Sequence, residues 1–461
     1  MTEAYDVVVV GGGVVGCAVA RELSRRHLSV ALLEARNDVG AGTSKANTAI
    51  LHTGFDAVPG TLESRLVARG YELLRAYAPG VGVSIEETGA VLVAWDDEQA
   101  ASLPALVDKA VANGYGDTQL IDAAAVRALE PHLGPGVTGG MLVPGEHLID
   151  PWSTPLAFAT EAVANGVDLL TNLDVVACEP GAEVTRLLAA DGREVLTRFV
   201  VNAAGLHGDT LHRLFGFDGF TIRPRRGELI VFDKLARPLL GRTILPVPTA
   251  STKGVLVAPT VFGNIMLGPT ADDIEDREAT GSTRAGIDSL LTKGRRILPG
   301  LLDEEVTAVY AGLRAATEHS DYQLSSDVTT RYVCLGGIRS TGLTASMALA
   351  EEAVVLLAGI GLRAEPTPAG ELRSIMLTPL GEIDERPYQR GGTVVCHCER
   401  VTADEIDAAI AALVPATDLD GLRRRTRVLA GRCQGFYCAA DVCAHAAAAS
   451  GRSMGEWMGL R

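Results

Sequence analysis

No stretch of this 461-residue sequence reaches the roughly 18 uninterrupted apolar residues of a membrane span. Nor does it open with the basic region and apolar core of a secretory leader: it runs directly into an apolar strand. These absences predict a cytoplasmic protein with no direct membrane span. Positive charge is also short, because 41 Lys and Arg against 57 Asp and Glu leave a net charge of −16. That balance argues against nucleic acid or an anionic membrane as a main partner. Cysteine is sparse as well: eight residues in a chain this long do not make a secreted disulfide scaffold.

What is present is organised around Tyr5 to Glu34, YDVVVVGGGVVGCAVARELSRRHLSVALLE. The pattern reads as strand, glycine turn, helix and strand. Gly11 allows the tight turn out of the strand, Gly13 lets backbone N–H groups approach a pyrophosphate, and Gly16 lets the helix pack closely on the strand. Glu34 ends the second strand, about 18 residues past Gly16, where a carboxylate binds ribose hydroxyls and disfavours a 2′-phosphate. The stretch therefore predicts a dinucleotide site.

The length alone predicts two or three domains. After Glu34 a loop rich in glycine and hydroxyls, with Arg36, Thr43, Ser44 and Asn47, is placed to wrap a cofactor, and His52 follows in an apolar setting. Thr61 to Tyr77 has helical periodicity; Ala90 to Ala94 reads as a strand, and Gln99 to Asn113 and Asp122 to Leu129 read as helices. Asp150-Pro151 opens a helix to Asn165, and strands are expected at Leu169 to Val176, Ala182 to Ala189 and Glu194 to Val201. The last enters the turn Asn202-Ala203-Ala204-Gly205. Arg223, Arg225 and Arg226 read as a surface charge run. A late strand, Tyr332 to Leu335, enters the turn Gly336 to Thr344 ahead of a helix, whose N-terminus suits an anionic group.

Residues 361 to 392, rich in proline, glycine and charge, read as a linker with some local strand. Beyond it Cys396-His397-Cys398 and Cys433 to Cys438 give CxC, 34 intervening residues and CxxxxC. Four thiolates suit zinc or an iron–sulfur cluster equally well, although CxC is not typical of a zinc knuckle. Cys17, Cys178, Cys334 and Cys443 read as bystanders.

Around those cysteines, VVCHCERVTADEIDAAI and LRRRTRVLAGRCQGFYCA resemble the bacterioferritin-associated ferredoxin type of module, which implies a [2Fe–2S] cluster on Cys396, Cys398, Cys433 and Cys438. Residues 5 to 360, with NTAILHTGFD, PGTLESRLVARG, PRRGELIVFD and KGVLVAPTVFGNIMLGP, resemble FAD-dependent glycerol-3-phosphate dehydrogenases and L-2-hydroxyglutarate dehydrogenases of the D-amino-acid-oxidase-like superfamily. The C-terminal module is similar to the one on the catalytic subunit of anaerobic glycerol-3-phosphate dehydrogenase.

The resemblance implies an α/β fold: an FAD-binding Rossmann-like domain (1–78, 145–215, 325–362) interleaved with a β-rich substrate domain (79–144, 216–324). A linker (363–392) and a small helical cluster module (393–461) follow. It implies FAD as the dinucleotide, held by Gly11, Gly13, Gly16, Glu34, Arg36, Thr43, Ser44, Asn47, Val176, Ala204, Gly205, Gly337, Gly342, Leu343 and Thr344. His52 would take a substrate hydroxyl proton as hydride leaves the same carbon, with Lys253 and Arg314 binding the anionic group or polarising its oxygen. The implied activity is oxidation of a secondary alcohol on glycerol 3-phosphate or a 2-hydroxy acid, with electrons leaving through the cluster to an acceptor or quinone. The implied partners are a small anionic substrate and an electron-acceptor or membrane-anchor subunit, which would place the protein at the inner membrane face; homo-oligomerisation stays open. Two rivals remain, an amine or amino-acid oxidoreductase on the same fold and a non-catalytic electron-transfer subunit.

Overall fold

The computed structural model describes residues 4–248, 254–381 and 392–459. Its first sheet is built from the glycine-turn unit outward. Tyr5–Val10 lies parallel to Val30–Leu33 on one side and to Glu194–Asn202 on the other, in the registers Val10↔Leu33 and Val10↔Asn202. Asp168–Leu170 and Tyr332–Gly336 extend the parallel core, and antiparallel strands Val175–Glu179, Thr185–Ala189 and Gln323–Asp327 complete eight strands. Val7, Val8 and Val9 are fully buried because helices cover both faces, as parallel strands require.

The helix Val14–Leu23 packs between Ser153–Ala164 and Gly342–Gly359. Gly342–Gly359 is long and apolar enough to cross a membrane, but it is 56% buried and lies against Val14–Leu23 and Leu62–Tyr77. Gly70 permits that second contact: a Cβ there would lie 2.3 Å from the Thr344 carbonyl oxygen.

A second sheet of nine strands carries the long antiparallel pair Arg223–Phe232 and Val306–Ala316 at one side and Ala90–Ala94, Gly139–Val143 and Gln119–Asp122 at the other. Arg225 and Arg314 face each other across that pair. A small third sheet joins Ile50–Leu51, His147–Ile149 and Ile85–Glu86, with Ile50↔Leu148 and Leu51↔His147.

Helices and most strands fall where periodicity places them. One difference is the stretch Leu169 to Val176, which divides into Asp168–Leu170 and Val175–Glu179. Asn172 sits at φ 52°, and Asn172 and Leu173 donate backbone hydrogen bonds to the Arg36 and Glu34 carbonyls. The chain turns there to follow the strand bearing Glu34. The other difference lies in residues 363–381, which contain no strand and only an isolated bridge, Arg26 to Pro366. They form a strap along the body: Leu380 is buried, Leu377 donates to the Val81 carbonyl and Arg373 to Asn165.

The C-terminal module packs Ala403–Ile410, Leu419–Thr426, Ala439–Ser450 and Met454–Trp457 around Ile406, Leu422, Val428, Val442 and Trp457, beside a short hairpin of Val394–Cys396 and Val401–Thr402. Thr402 and Glu405 form a capping box that starts its first helix.

Candidate functional site

The glycine turn is shaped by close approach. Gly11 has φ +111°, and a Cβ on it would lie 2.4 Å from the Ala203 carbonyl oxygen; one on Gly16 would lie 1.8 Å from the Gly11 oxygen. Gly13 differs: an added Cβ would meet only Ser44 Oγ, at 3.4 Å. The first two glycines serve packing, while the third leaves room above the helix N-terminus, where a pyrophosphate fits. Ser44 Oγ accepts from the Val14 N–H at 2.9 Å, which draws the following loop over that N-terminus.

Glu34 lies beside this cradle. Its Oε2 accepts from Gly12 N–H at 2.7 Å and its Oε1 from Arg36 N–H at 2.8 Å, leaving further lone pairs on both oxygens for ribose hydroxyls. Burial raises its carboxyl above the usual value, against the opposing pull of the Arg36 and Gly12 N–H bonds. Arg36 points its guanidinium to Glu278, 3.3 Å away. Val176 stands on the outer strand next to Glu34's turn with its side chain half exposed. Ala204 and Gly205 end the strand beside Gly11, Ala204 N–H bonding Asn202 Oδ1 at 3.1 Å, while Gly337 takes φ +65° after the last strand. The residues expected to hold FAD therefore border one trough at the C-terminal ends of the parallel strands, which is where such sheets bind ligands.

The loop from Thr43 to Asn47 closes the trough and ties it to the second sheet. Thr43 Oγ1 donates to the Leu313 carbonyl at 2.9 Å, Tyr310 Oη to the Asn47 carbonyl at 3.0 Å, and a Cβ on Gly312 would lie 2.1 Å from the Ala46 oxygen. The strand bearing Arg314 is thus fastened to the cofactor loop. Asn47 Nδ2 donates to Ser44 O and its Oδ1 accepts from Ala49 N–H, both at 2.7 Å; Ala49 is held at φ 56°, a conformation costly for a residue with a Cβ.

Arg314 is buried, and its Nη1 has only a long contact, 3.4 Å, to the Thr270 carbonyl. Gly227 makes room for it, since a Cβ there would lie 2.9 Å from Nη2. Burial, then the neighbouring Arg225 charge, lowers its pKa, and no carboxylate among the described residues opposes that shift. Arg225 is itself paired with Asp273 at 2.6 Å and is exposed, in keeping with a surface run for that residue. Arg226 is mostly buried, 3.6 Å from Glu228. Lys253 lies outside the described residues.

His52 follows the short strand Ile50–Leu51, and its backbone N–H donates to Thr344 Oγ1 at 3.0 Å. Thr344, with Gly342 and Leu343, forms the first turn of Gly342–Gly359, so His52 sits at that helix N-terminus. Its Nδ1 lies 3.0 Å from Glu146 Oε2. Glu146 was invisible to motif reading, being an ordinary turn glutamate in Pro144-Gly145-Glu146-His147. Two clefts of about 400 Å³ flank this arrangement without containing it, one between the module and Ser153–Ala164, the other at the outer ends of the Arg223 and Ala316 strands.

In the module, Cys396 and Cys438 are buried, Cys433 is half-buried and Cys398 is exposed. The Cys433 sulfur is approached by the thiols of Cys398 and Cys438, and Cys438 by Cys396. Burial works against ionisation of Cys433, but the Tyr437 and Gly435 N–H groups and the two thiols hold it below the usual thiol value. Burial and the nearby Cys396 raise Cys438 to about 12. Among the described residues no three His, Cys, Asp or Glu side chains close on a single-ion centre. The chain of thiol contacts is nevertheless continuous, and four thiols linked in this way suit a binuclear cluster better than one tetrahedral ion. Phe436 and Tyr437, between the last two cysteines, are 97% and 74% exposed.

The module docks on the trough through residues that carried no motif. Asp38 accepts from Arg425 Nη1 and Nη2, each at 2.7 Å, and from Arg424 Nη2; Lys45 Nζ lies 2.8 Å from Asp420, and Asn37 Nδ2 donates to Asp418 at 2.7 Å. Arg427 stacks over Phe262 at 4.0 Å and Trp152 at 5.4 Å, while Trp152 Nε1 donates to the Lys45 carbonyl at 3.1 Å.

A dinucleotide trough, a histidine and a buried cation beside it, and a docked four-thiol module define a flavin-dependent oxidoreductase with an iron–sulfur centre. The comparisons agree: residues 6–356 match the FAD dependent oxidoreductase (DAO) family, and residues 394–444 match the BFD-like [2Fe-2S] binding domain. The chain belongs to the FAD dependent oxidoreductase family, and its cofactors are FAD and a [2Fe–2S] cluster. It is 33% identical to a glycerol 3-phosphate dehydrogenase of Caloramator mitchellensis over 95% of this chain and 93% of that one. It is 32% identical to a glycerol 3-phosphate oxidase of Mycoplasma pneumoniae over 77% of this chain and 95% of the relative. The solved, FAD-bound L-alpha-glycerophosphate oxidase from Mycoplasma pneumoniae superposes with a TM-score of 0.77 at 30% identity, covering 81% of this chain and 99% of that one.

Proposed function

We propose that this enzyme oxidises the secondary alcohol of glycerol 3-phosphate to a ketone and exports the electrons through its [2Fe–2S] module to an acceptor or quinone. The observation that carries this reading is Arg314, a buried guanidinium with no carboxylate partner among the described residues, on a strand fastened to the cofactor loop. An unneutralised buried charge is costly, so an anionic ligand is its natural complement. The relative that spans the module as well as the flavin part is named a glycerol 3-phosphate dehydrogenase, which favours phosphate and dehydrogenase together.

Bound FAD supplies a two-electron hydride acceptor, and the cluster supplies a one-electron exit. Arg314, with Lys253, holds the substrate anion and orients the carbinol carbon. His52 takes the hydroxyl proton as hydride leaves that carbon, giving the C=O bond. The N-terminus of Gly342–Gly359 presents backbone N–H groups that favour negative charge on the flavin's pyrimidine side. In this reading residues 1–78, 145–215 and 325–362 hold the flavin, 79–144 and 216–324 hold the substrate, and 393–461 handle export. The exposed Cys398 and the aromatic tip at Phe436 and Tyr437 leave the cluster open to an acceptor, which supports export to a partner.

A 2-hydroxy-acid substrate is the second reading. Arg314 suits a carboxylate as well as a phosphate, and human L-2-hydroxyglutarate dehydrogenase is 31% identical over 59% of this chain. The test is anaerobic bleaching of the bound flavin by glycerol 3-phosphate, 2-hydroxyglutarate, lactate, glycine and sarcosine. Glycerol 3-phosphate should bleach it fastest. Faster bleaching by 2-hydroxyglutarate would move the assignment to hydroxy acids, bleaching by the amines alone would move it to amine oxidation, and no bleaching would leave an electron carrier.

A further inference from the structure

We propose that Glu146 is the positioning residue of the catalytic base: it fixes the Nδ1–H tautomer of His52, leaves Nε2 as the proton acceptor, and stabilises the imidazolium formed when the substrate hydroxyl is deprotonated. The proposal rests on His52 being the base.

The pairing follows from strand register. Ile50↔Leu148 and Leu51↔His147 are antiparallel partners, so one more step along each chain sets His52 opposite Glu146. The turn before Glu146 is built for the contact. Gly145 N–H donates to Tyr115 Oη at 2.7 Å, and a Cβ on Gly145 would meet that oxygen at 2.7 Å and Thr53 Cγ2 at 2.9 Å. Glu146 is wholly buried, at 0% exposure. Its Oε1 accepts from Thr53 N–H at 2.6 Å and from Thr53 Oγ1–H at 2.8 Å, and its Oε2 lies 3.0 Å from His52 Nδ1.

A carboxylate only accepts, so the proton of a neutral His52 resides on Nδ1, and Nε2 is left with its lone pair. The Thr53 bonds pin one carboxylate oxygen and so hold the other on the ring. His52 is anchored independently by its backbone N–H to Thr344 Oγ1, which restrains where Nε2 lies relative to the helix N-terminus. A buried carboxylate against a buried imidazole makes the charged ring more favourable, the logic of any base that must become a cation in the transition state. In the step itself the hydroxyl O–H breaks, its proton goes to Nε2, the C–H electron pair leaves with hydride to FAD, and the C=O bond forms; Glu146 keeps its charge throughout. The other ionisable groups facing Glu146 are Tyr71 from Leu62–Tyr77, Tyr115 after Asp97–Ala112, and His147 next in the chain, with Arg75 and Glu87 acting on Tyr71 and His147. Burial lowers the pKa of His147 and raises those of both tyrosines, so each stays neutral where the base works.

The test is Glu146→Gln in the FAD-loaded full chain, with anaerobic flavin reduction by glycerol 3-phosphate measured from pH 5 to 9. The amide donates to Nδ1 and drives the ring to the other tautomer. The rate of reduction at its plateau should fall by about 10²–10⁴-fold, substrate Kd should change less than about threefold, and the acidic limb of the profile should move to lower pH by about a unit or more. Glu146→Asp keeps the charge; it should retain the acidic limb near its wild-type position and recover part of the rate, and it answers the same question should the glutamine variant lose its flavin. A glutamine variant within threefold of wild type with an unmoved acidic limb overturns the proposal, as does an aspartate variant with no recovery over glutamine. Failure of the function reading is separate: wild type would then not be bleached by glycerol 3-phosphate at all.

Discussion

Asp38, on the cofactor-wrapping loop, takes both N–H arms of Arg425 into its carboxylate at 2.7 Å, across 387 positions of sequence. Arg424 adds a third contact, and all three side chains are almost inaccessible, Asp38 at 1%. The loop that closes over the flavin trough is therefore held from outside by the helix Leu419–Thr426, and Lys45 with Asp420 repeats the connection further along. The iron–sulfur module acts as a brace on the flavin site as well as an electron exit.

Replacing Asp38 by Asn should loosen that brace. Breaking one partner of a buried ion pair costs about 3–5 kcal/mol because the remaining charges stay buried. The expected outcome is faster proteolysis between the strap and the module and a lower midpoint for thermal release of flavin. An Asn variant that releases flavin at the wild-type temperature would show the contact to be dispensable.

The same pair predicts an acid response. Burial raises Asp38, but the hydrogen bond and charge of Arg425, then those of Arg424, outweigh it and hold the carboxyl below its usual value. A carboxylate depressed in the folded state contributes stability that is fully present above its unfolded value, about 3.9, and is lost as pH falls through the folded one. Flavin release should accelerate below about pH 4, and Asp38→Asn should flatten that dependence. Release that rises equally steeply in the variant would assign the effect elsewhere.

Arg314→Ala should raise KM for glycerol 3-phosphate by about 10²–10³-fold, since removing one partner of a desolvated charge pair costs about 2–5 kcal/mol. Arg314→Lys should recover only part of this, because an ammonium cannot form the two parallel bonds of a guanidinium. Steady-state kinetics with an artificial acceptor check it; a KM within threefold of wild type would remove Arg314 from the substrate site.

Cys396→Ser should abolish the cluster's absorption beyond the flavin bands. Substrate should still bleach the flavin anaerobically, while turnover with the artificial acceptor falls. If that variant reduces the acceptor as well as wild type does, and the wild type reduces oxygen just as fast, export through the cluster is ruled out.

Glu34→Ala should weaken FAD binding by about 10- to 100-fold, the worth of a charged hydrogen bond of about 1.5–3 kcal/mol. Titration of apoprotein with FAD measures it directly, and an unchanged Kd would mean the carboxylate serves only the Gly12 and Arg36 N–H groups.

Much of the architecture was legible locally. The strand, glycine turn and acid of Tyr5 to Glu34 depend on spacings that one supersecondary unit contains, and the capping and periodicity of Leu62–Tyr77 or Ser153–Ala164 are likewise short-range. Misreading came where two distant segments meet. The run Leu169 to Val176 looks like one apolar strand, but the Glu34 and Arg36 carbonyls draw Asn172 and Leu173 into a turn. Residues 363–381 look like a free linker because their proline and glycine content hides the burial of Leu380.

By itself the sequence determined the cofactor chemistry, since an FAD cradle and a CxC/CxxxxC thiol set are each written in residue types at fixed short spacing. Only the tertiary structure decided what surrounds them. Glu146 meets His52 because two short strands pair antiparallel, Arg314 stays without a carboxylate because Gly227 clears a buried space for it, and Asp38 meets Arg425 because the module folds back onto the trough. Charge, burial and partner at those positions are properties of packing between segments far apart in the chain, and no local pattern specifies them.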